Sequence, residues 1–507
     1  MSISGIARTL IVAAIMALPG WDSTLAQAQL PAMGDGVEMT PGAERQLGER
    51  IARELYRDPD YIDDAVLAEY VQGIWQPLLA AARVRGELIP ELDERFAWEI
   101  LLGRDRSVNA FALPGGYLGL HLGLIGVVSS RDELASVLAH ELSHVTQRHI
   151  SRLMSRQGQQ TPWLLGAMIL GALAASKSPD AANALMVGGQ AVAVQNKLNF
   201  SRDMEREADR IGYGVMAQAG FESRGFVSMF EKLQQASRLN DNGSFPYLRS
   251  HPLTTERIAD MQARQPLAVQ PAGPAEPVME HGMVAARARV LSYPGVDLLH
   301  AWAAEPSGVG FAALSASRRA AVLYAATLAS VRLRELTRAD SLARQLLILA
   351  AGDTAGARQA RLLAAEVALV AGDTARAISL VDTGAITVAA GRPELLLLAQ
   401  LLTRSGRPAE AVDRLQTWVA LHPRDATAWQ GLAAAYIVQR QPLRAVRAEG
   451  EAQMAHLDFS GAVDRFKAAR ELSEKAGRQP ADHMEASIID TRLRQAESLL
   501  REQALER

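Results

Sequence analysis

The sequence predicts a predominantly α-helical protein whose C-terminal part is an α-solenoid of helical repeats. Hydrophobic residues make up 49% of the 507 residues while aromatic residues make up only 5%, which is typical of helices rich in alanine and leucine. In the second half, alanines recur at an interval of about 34 residues, the length of a helix-turn-helix unit that buries its small residues against its neighbours. The chain is long enough for about three domains.

Charge and cysteine content set further bounds. The formal net charge is -3, from 53 basic and 56 acidic residues, so nothing in the charge balance predicts a nucleic-acid partner. The chain has no cysteine and therefore no disulfide bond, which leaves the prediction of its compartment to the N-terminal segment.

Residues 1–28 are predicted to be a cleavable signal peptide that sends the protein to the periplasm of a Gram-negative cell. Arg8 is the only charge before the apolar stretch Leu10–Leu18, and the small residues within Leu25-Ala26-Gln27-Ala28 offer a cleavage site before Gln29. A short membrane anchor is the alternative. It is disfavoured because the apolar stretch is far shorter than the roughly 20 residues that span a bilayer.

Residues 140–144 read His-Glu-Leu-Ser-His. On a helix, His140 and His144 project about 40° apart on one face, so they can hold a single metal ion. Glu141 lies about 100° further round and cannot easily join them, but it can reach a water molecule at the ion's open position. The alternative is a surface helix with two unrelated histidines.

The flanking residues independently predict a helix from about Arg131 to Ile150. Ser130 precedes Glu133 in the register of a capping box. Apolar residues follow at helical spacing: Leu134, Val137, Leu138, Leu142 and Val145. If the helix continues that far, His149 lies about 180° round from His140 and faces away from the ion.

A hydrolytic zinc site needs a third protein ligand, which without cysteine must be histidine or a carboxylate. Glu205 and Asp209 lie four residues apart and share a helical face, while Glu207 points roughly 200° away from Glu205. Glu205 can therefore be the third ligand, and Asp209 is placed to hydrogen-bond the outer nitrogen of a ligating histidine. Considered alone, this segment would be an ordinary charged helix.

Three motifs together resemble the CAAX-prenyl-protease-related zinc endopeptidases over roughly residues 41–265. They are VNAFALPGGY at 108–117, HELSH, and the Glu-x-x-x-Asp within NFSRDMEREAD. The resemblance implies a helical metallopeptidase domain with a small sheet and one zinc ion per chain. It further implies that the zinc is held by the following side chains: His140, His144 and Glu205.

The same resemblance assigns the remaining roles. It implies that Glu141 is the general base and that Asp209 hydrogen-bonds a zinc ligand without binding the zinc itself. The NAFALPGG segment is then a strand beside the cleft, whose edge can pair with an extended substrate peptide.

His251 lies in the stretch SHPLTTER, where Pro252 favours an extended backbone and Thr254 or Thr255 can cap the next helix. A loop histidine is usually solvated or packed. The stretch is, however, similar to one in repeat-bearing members of the same family, where the histidine can occupy the fourth position of the zinc and hold the enzyme latent. His251 is therefore a candidate regulatory ligand or, alternatively, a stabiliser of the oxyanion once substrate displaces it.

A long insertion separates the two zinc-binding helices. It contains the apolar segment Trp163–Ala175, which is too short to cross a bilayer, and a second segment, Ala181–Val194, rich in glycine and alanine. We expect a helical hairpin that covers the cleft or touches the membrane surface. A helix buried beside the active site is the alternative.

A proline-rich linker at residues 266–278 divides the predicted metalloprotease domain, 29–265, from a repeat domain, 279–507. The recurring residues of that domain are Ala343, Ala377, Ala411, Ala445, Gly372 and Gly406. Their spacing is the period of the tetratricopeptide repeat, whose concave groove binds polypeptides. A non-repetitive α-bundle is the alternative.

By resemblance, the chain is a periplasmic endopeptidase that degrades misfolded or stalled outer-membrane proteins and assists their assembly, with the barrel-assembly machinery as partner. Two other functions remain open. One is a chaperone or assembly adaptor whose protease site is mostly latent. The other is a housekeeping protease for any unfolded periplasmic chain.

Overall fold

The computed structural model describes the chain in the following ranges: 39–156, 200–238, 245–265, 278–292, 294–382, 391–475 and 480–505. Several predictions concern residues outside them. These are the signal peptide at 1–28, nearly all of the linker at 266–278, and both apolar segments of the insertion, Trp163–Ala175 and Ala181–Val194.

The N-terminal part is helical apart from one small sheet. Its helices are α1 Pro41–Arg57, α2 Ala65–Val84, α3 Pro90–Arg95, α4 Leu122–Val127, α5 Arg131–Thr146, α6 His149–Arg156, α7 Arg202–Gln218, α8 Arg224–Arg238, α9 Tyr247–Ser250 and α10 Thr255–Ala263. Within the described ranges no helix is both long and apolar enough to cross a membrane.

The sheet has three strands, β1 Glu99–Gly103, β2 Ala110–Leu113 and β3 Tyr117–His121, in the order β1-β3-β2. β3 runs parallel to β1 and antiparallel to β2, so the NAFALPGG segment forms an edge strand. The tight turn between β2 and β3 requires glycine: Gly116 has a φ of +83°, and a Cβ there would lie 2.8 Å from Cβ of Phe96.

Helix α5 begins where the sequence predicts and ends earlier. Ser130 caps it by accepting a hydrogen bond from the Glu133 backbone N–H. The helix was predicted to reach Ile150, but it ends at Thr146. Arg148 adopts a left-handed φ of +51°, which breaks the helix and starts α6 at His149 in a new direction.

The hydrophobic core of this part joins α2, the sheet, α5, α7 and α8. Side chains such as Trp75 and Leu138 are fully buried in it. Helix α7 approaches α5 closely because Gly212 faces it. A Cβ on Gly212 would lie 3.0 Å from the carbonyl oxygen of Ala139. This approach brings the acidic face of α7 next to the histidines of α5.

The C-terminal part confirms the predicted all-helical fold. Its helices are α11 Met279–Leu291, α12 Val296–Ala304, α13 Ala316–Arg332, α14 Leu336–Ala350, α15 Thr354–Val370, α16 Thr374–Val381, α17 Arg392–Arg404, α18 Pro408–Leu421, α19 Ala426–Val438, α20 Pro442–Ala455, α21 Phe459–Lys475 and α22 Pro480–Leu505.

The regular interval of the repeats has a structural cause. The four recurring alanines each lie in the second helix of a pair and are buried to 2% exposure or less; they are Ala343, Ala377, Ala411 and Ala445. The turns between paired helices use left-handed residues at the same interval: Gly372 at φ +84°, Gly406 at +78° and Arg440 at +57°. Helices thus pack closely at each alanine and turn at each left-handed residue.

Helix α11 opens the predicted repeat domain and packs on both parts of the chain. Val284 and Ala288 belong to the core that contains α5, whereas Met283 belongs to the first core of the repeats. Nε2 of the buried His281 donates to the carbonyl oxygen of Val128 at 3.0 Å, and its Nδ1 accepts from the Tyr70 hydroxyl at 2.7 Å. The two parts therefore share an element.

Ion pairs join the start of α2 to the repeats. Arg392 contacts Asp63 at 2.7 Å and Asp425 of the next repeat, also at 2.7 Å. Arg358, at the equivalent position of the preceding repeat, bridges Glu69 and Glu394 in the same manner. Acidic groups near a helix N-terminus also interact favourably with the helix dipole. Because arginines of two successive repeats pair with it, the acidic start of α2 is a charged anchor for the repeats.

We expect Arg392→Met to weaken this anchor. The substitution keeps most of the side-chain volume but leaves Asp63 and Asp425 facing each other, at a cost of about 2 kcal/mol in the free energy of unfolding. Chemical denaturation followed by circular dichroism would measure it. Arg407→Met is the matched control, because the ion pair of Arg407 is with the exposed Glu410 of its own repeat. Equal unfolding midpoints for the two variants would contradict the anchoring role of Arg392.

Candidate metal centre

Four buried side chains bring potential metal ligands together: His140, His144, Glu205 and His251. One ligand atom from each lies within 4.8 Å of all the others. Nε2 of His140 lies 3.0 Å from Nε2 of His144 and 3.3 Å from Nδ1 of His251. Glu205 Oε1 lies 3.1 Å from His251 Nδ1 and 3.4 Å from His144 Nε2. The structure therefore assembles all four predicted candidates in one cluster.

The separations fit a tetrahedral zinc ion, whose bonds of about 2.0–2.1 Å put neighbouring ligand atoms roughly 3.3 Å apart. The protonation of His140 is also compatible with metal binding. His140 Nδ1 lies 2.9 Å from Asp209 Oδ1, and because a carboxylate only accepts, a neutral His140 carries its proton on Nδ1. Its Nε2 lone pair then points at the centre, where a Glu205 oxygen also points. Acceptors that converge in this way form a site that could hold a cation.

Helix geometry sets these positions. His140 and His144 lie one turn apart on α5, and Glu205 and Asp209 lie one turn apart on α7. Ser201 begins α7 by accepting a hydrogen bond from the Met204 backbone N–H. The two pairs face each other across the close contact between α5 and α7, so each carboxylate meets a histidine.

Arg257 lies behind the ligands, and sequence reasoning assigned it no role. Its Nε and Nη2 donate to both carboxylate oxygens of Asp209, at 2.6 and 2.8 Å, and its Nη1 lies 2.7 Å from Glu205 Oε2. Burial alone would raise the pKa of Asp209, yet the Arg257 guanidinium lowers it below its ordinary value. Arg257 thus keeps the buried Asp209 ionised and also forms an ion pair with Glu205. The only sequence signal was its place six residues after His251.

The prediction that His149 faces away from the metal centre was wrong. Because Arg148 ends α5, His149 folds back until its Nδ1 lies 2.8 Å from Nδ1 of His144. On its other side, its Nε2 lies 3.1 Å from Glu207 Oε2. Burial lowers the pKa of His149 to about 4, so the ring is neutral near pH 7. An unbroken helix, which the periodicity indicated, could not have made this contact.

Glu141 lies beside the cluster and is fully buried. Its Oε2 accepts a hydrogen bond of 2.9 Å from the Ala112 backbone N–H, and its Oε1 lies 3.4 Å from Nε2 of His251. Burial raises the pKa of Glu141 above its ordinary value, which favours proton uptake by this carboxylate. The bond also fixes edge strand β2 against the cluster.

His251 follows α9 directly, so it reaches the cluster from a different segment than the ligand atoms of α5 and α7. Its ring stacks on Tyr247, with centroids 4.6 Å apart. Burial opposes its protonation, but the carboxylates of Glu141 and Glu205 together raise the pKa of His251. Phe200 stacks on the ring of His144, with ring centroids 3.9 Å apart. In this arrangement His251 Nδ1 is the fourth of the converging ligand atoms.

Comparison with known sequences bears out the family resemblance. Residues 69–265 match peptidase family M48, and residues 368–436 match a tetratricopeptide repeat. The chain is 33% identical over 251 residues to the beta-barrel assembly-enhancing protease of Escherichia coli K12, an alignment that covers 48% of this chain and 49% of the relative.

Two other relatives widen the comparison. A Vibrio cholerae protein provisionally given the same name is 32% identical over 324 residues, 63% of each chain. A mitochondrial metalloendopeptidase of Arabidopsis thaliana is 32% identical over 164 residues, 32% of this chain and 31% of its own. The chain thus matches about half to two thirds of the length of its bacterial relatives.

Removing the charge of Arg257 should destabilise the protein strongly. We expect Arg257→Gln to lower the free energy of unfolding by about 3–5 kcal/mol, because Glu205 and Asp209 would be buried without their cation. Denaturant unfolding in a chelator and in excess zinc measures this loss, and zinc should restore part of it. Arg206→Gln is the control, since Arg206 forms an exposed pair with Glu256 and should change stability by less than about 0.5 kcal/mol. Equal losses in both variants would contradict the role of Arg257.

Proposed function

We propose that this chain, whose residues 69–265 match peptidase family M48, is a zinc-dependent endopeptidase of the bacterial periplasm that degrades misfolded or stalled outer-membrane proteins and assists the assembly of others. One observation carries the proposal. His140, His144 and Glu205 converge at tetrahedral spacing with Glu141 beside them, which is the donor set of a hydrolytic zinc site.

Each residue then has a defined task. His140, His144 and Glu205 hold one zinc ion, which when bound supplies a Lewis acid that polarises a peptide carbonyl and acidifies water. Glu141 takes a proton from the attacking water and delivers it to the leaving amine. Asp209 holds the proton of His140 on Nδ1, so that Nε2 stays directed at the ion.

Strand β2 is placed to present the substrate. Among the described residues β2 is an edge strand, paired with β3 and with no other strand, and its Ala112 N–H donates to Glu141. An extended peptide that pairs with such an edge lies alongside the base, with main-chain bonds that are independent of its side chains. This supports unfolded or misassembled proteins as substrates.

His251 acts as a regulatory ligand in this proposal. Its Nδ1 lies among the ligand atoms, at 3.1–3.3 Å from Glu205 and His140. While it stays there, the fourth position that hydrolysis needs is filled and the enzyme is latent. In the alternative role, the same imidazole stabilises the oxyanion once substrate displaces it.

Two observations support the proposed localisation and partners. The N-terminal 28 residues have the pattern of a signal peptide, and the name of the E. coli relative refers to β-barrel assembly. The repeats offer a surface for the barrel-assembly machinery or for clients. Peripheral contact with the membrane through the insertion is part of the same proposal.

A second candidate is a chaperone or assembly adaptor whose protease site is mostly latent. The observation that favours it is the position of His251, which closes the tetrahedron. Against it, Glu141 is retained, and an adaptor has no need of a general base. A third candidate is a housekeeping protease that acts on any unfolded periplasmic chain.

Degradation of casein by the purified mature protein tests the enzyme assignment. We expect zinc-dependent cleavage that disappears with a chelator and falls by at least about 1000-fold in Glu141→Gln, because the base is lost while the hydrogen-bond acceptor for Ala112 remains. His251→Ala should cleave faster than wild type. Glu133→Gln is the matched control, a buried glutamate of the same helix that accepts from Ser129 and pairs with Lys232. A zinc-loaded protein that never cleaves would favour the adaptor.

Client trapping separates the specialised enzyme from the general one. In cells, Glu141→Gln should hold substrates without cutting them, and cross-linking followed by mass spectrometry identifies what is held. We expect outer-membrane barrel proteins to dominate over other periplasmic proteins. A broad spread of clients in proportion to their abundance would instead support housekeeping proteolysis.

A further inference from the structure

The two zinc-binding histidines of α5 have different outer partners. Asp209 faces Nδ1 of His140 at 2.9 Å. At His144 the corresponding position is taken by a third imidazole, that of His149, at 2.8 Å. His149 is fully buried and supplies no ligand atom to the cluster. The mechanism proposed above gives it no task.

The hydrogen bonds around His149 determine where each proton lies. Glu207 can only accept, so Nε2 of His149 carries a proton and donates it to Glu207 Oε2 at 3.1 Å. A neutral His149 then has a lone pair on Nδ1, which accepts from Nδ1–H of His144. This leaves the Nε2 lone pair of His144 directed at the metal position.

Two further contacts hold this chain of bonds in place. Arg152 donates to the same Glu207 oxygen at 2.8 Å, which keeps the carboxylate ionised and aimed at His149. Phe200 stacks on the ring of His144 at 3.9 Å and limits its rotation. The side chains of Arg152 and Glu207 are 32% and 29% exposed, so the chain of hydrogen bonds runs from the metal position to the surface.

We propose that His149 is a positioning residue that fixes the tautomer and the orientation of His144, with Glu207 and Arg152 holding His149 in turn. The inference rests on the proposed function, since it requires that His144 binds zinc. His149 touches neither substrate nor zinc. Its contribution is to metal affinity, where outer partners of ligating histidines typically account for about 10–100-fold.

Zinc affinity of the metal-free protein, measured by competition with a chromophoric chelator, tests the proposal without any assay of proteolysis. His149→Phe fills the same space without an acceptor and should bind zinc about 10–100-fold more weakly. His149→Asn places an amide oxygen near the position of Nδ1 and should restore most of that loss. The visible spectrum of the cobalt-substituted protein should change in His149→Phe and recover in His149→Asn.

His281→Phe is the matched control. His281 is also buried and hydrogen-bonded, to Tyr70 and to Val128, but it lies on α11, away from the cluster. Its replacement should leave zinc affinity unchanged, whatever it costs in thermal stability. If His149→Phe does not fold, Glu207→Met decides instead. This variant frees Nε2 of His149 from its acceptor and should weaken zinc binding in the same direction by a smaller factor.

Two results would overturn the proposal. One is wild-type zinc affinity in a folded His149→Phe or Glu207→Met protein. The other is an equal loss in His149→Phe and His149→Asn, which would mean that packing and not the hydrogen bond matters. The proposed function fails separately: a wild type that binds zinc but cleaves nothing is not a protease, yet the affinity series still decides the role of His149.

Discussion

The burial of two carboxylates against one guanidinium is the constraint on which the metal centre depends. Glu205 and Asp209 are each 1% exposed, and Arg257, at 3%, contacts both. Carboxylates removed from water to this extent would take up protons unless a cation compensated them. A protonated Glu205 would lose its value as a ligand, and a protonated Asp209 would no longer set the tautomer of His140. Burial opposes the ionised form of both groups. Arg257 lowers the pKa of Asp209, and the neighbouring histidines, His251 foremost, lower the pKa of Glu205.

Charge compensation also joins the two parts of the chain. The acidic start of α2 meets Arg392 and Arg358, which occupy equivalent positions in successive repeats. Between them, Asp64 meets Arg287 of α11 at 2.7 Å. Since these pairs cross between the N-terminal part of the chain and the repeats, part of the charged surface of the repeats is already used by the chain itself. Partners of the repeats must bind beside this anchor or compete with it.

The sequence predicted those features of the fold and of the site that depend on residues close together in the chain. The spacing of His140 and His144, the cap at Ser130 and the regular interval of the repeats all follow from helix periodicity, which the sequence carries directly. Two features of the site could not be read in this way. His149 depends on the left-handed turn at Arg148, a break that hydrophobic periodicity does not reveal. Arg257 depends on a contact with Asp209, 48 residues away, and surface ion pairs of the same residue types are common.

His251 and Arg257 lie on one short segment, which constrains how the fourth position can open. His251 N donates to Tyr247 O at 2.9 Å, and Arg257 Nη1 donates to Pro252 O at the same distance. Lifting this backbone would break both bonds and draw Arg257 away from two buried carboxylates, at a cost of several kcal/mol. Rotation of the His251 side chain breaks neither bond and leaves the guanidinium in place. If His251 is the regulatory ligand proposed above, rotation of its side chain is therefore the route of lower energy, and it leaves His140, His144 and Glu205 in place.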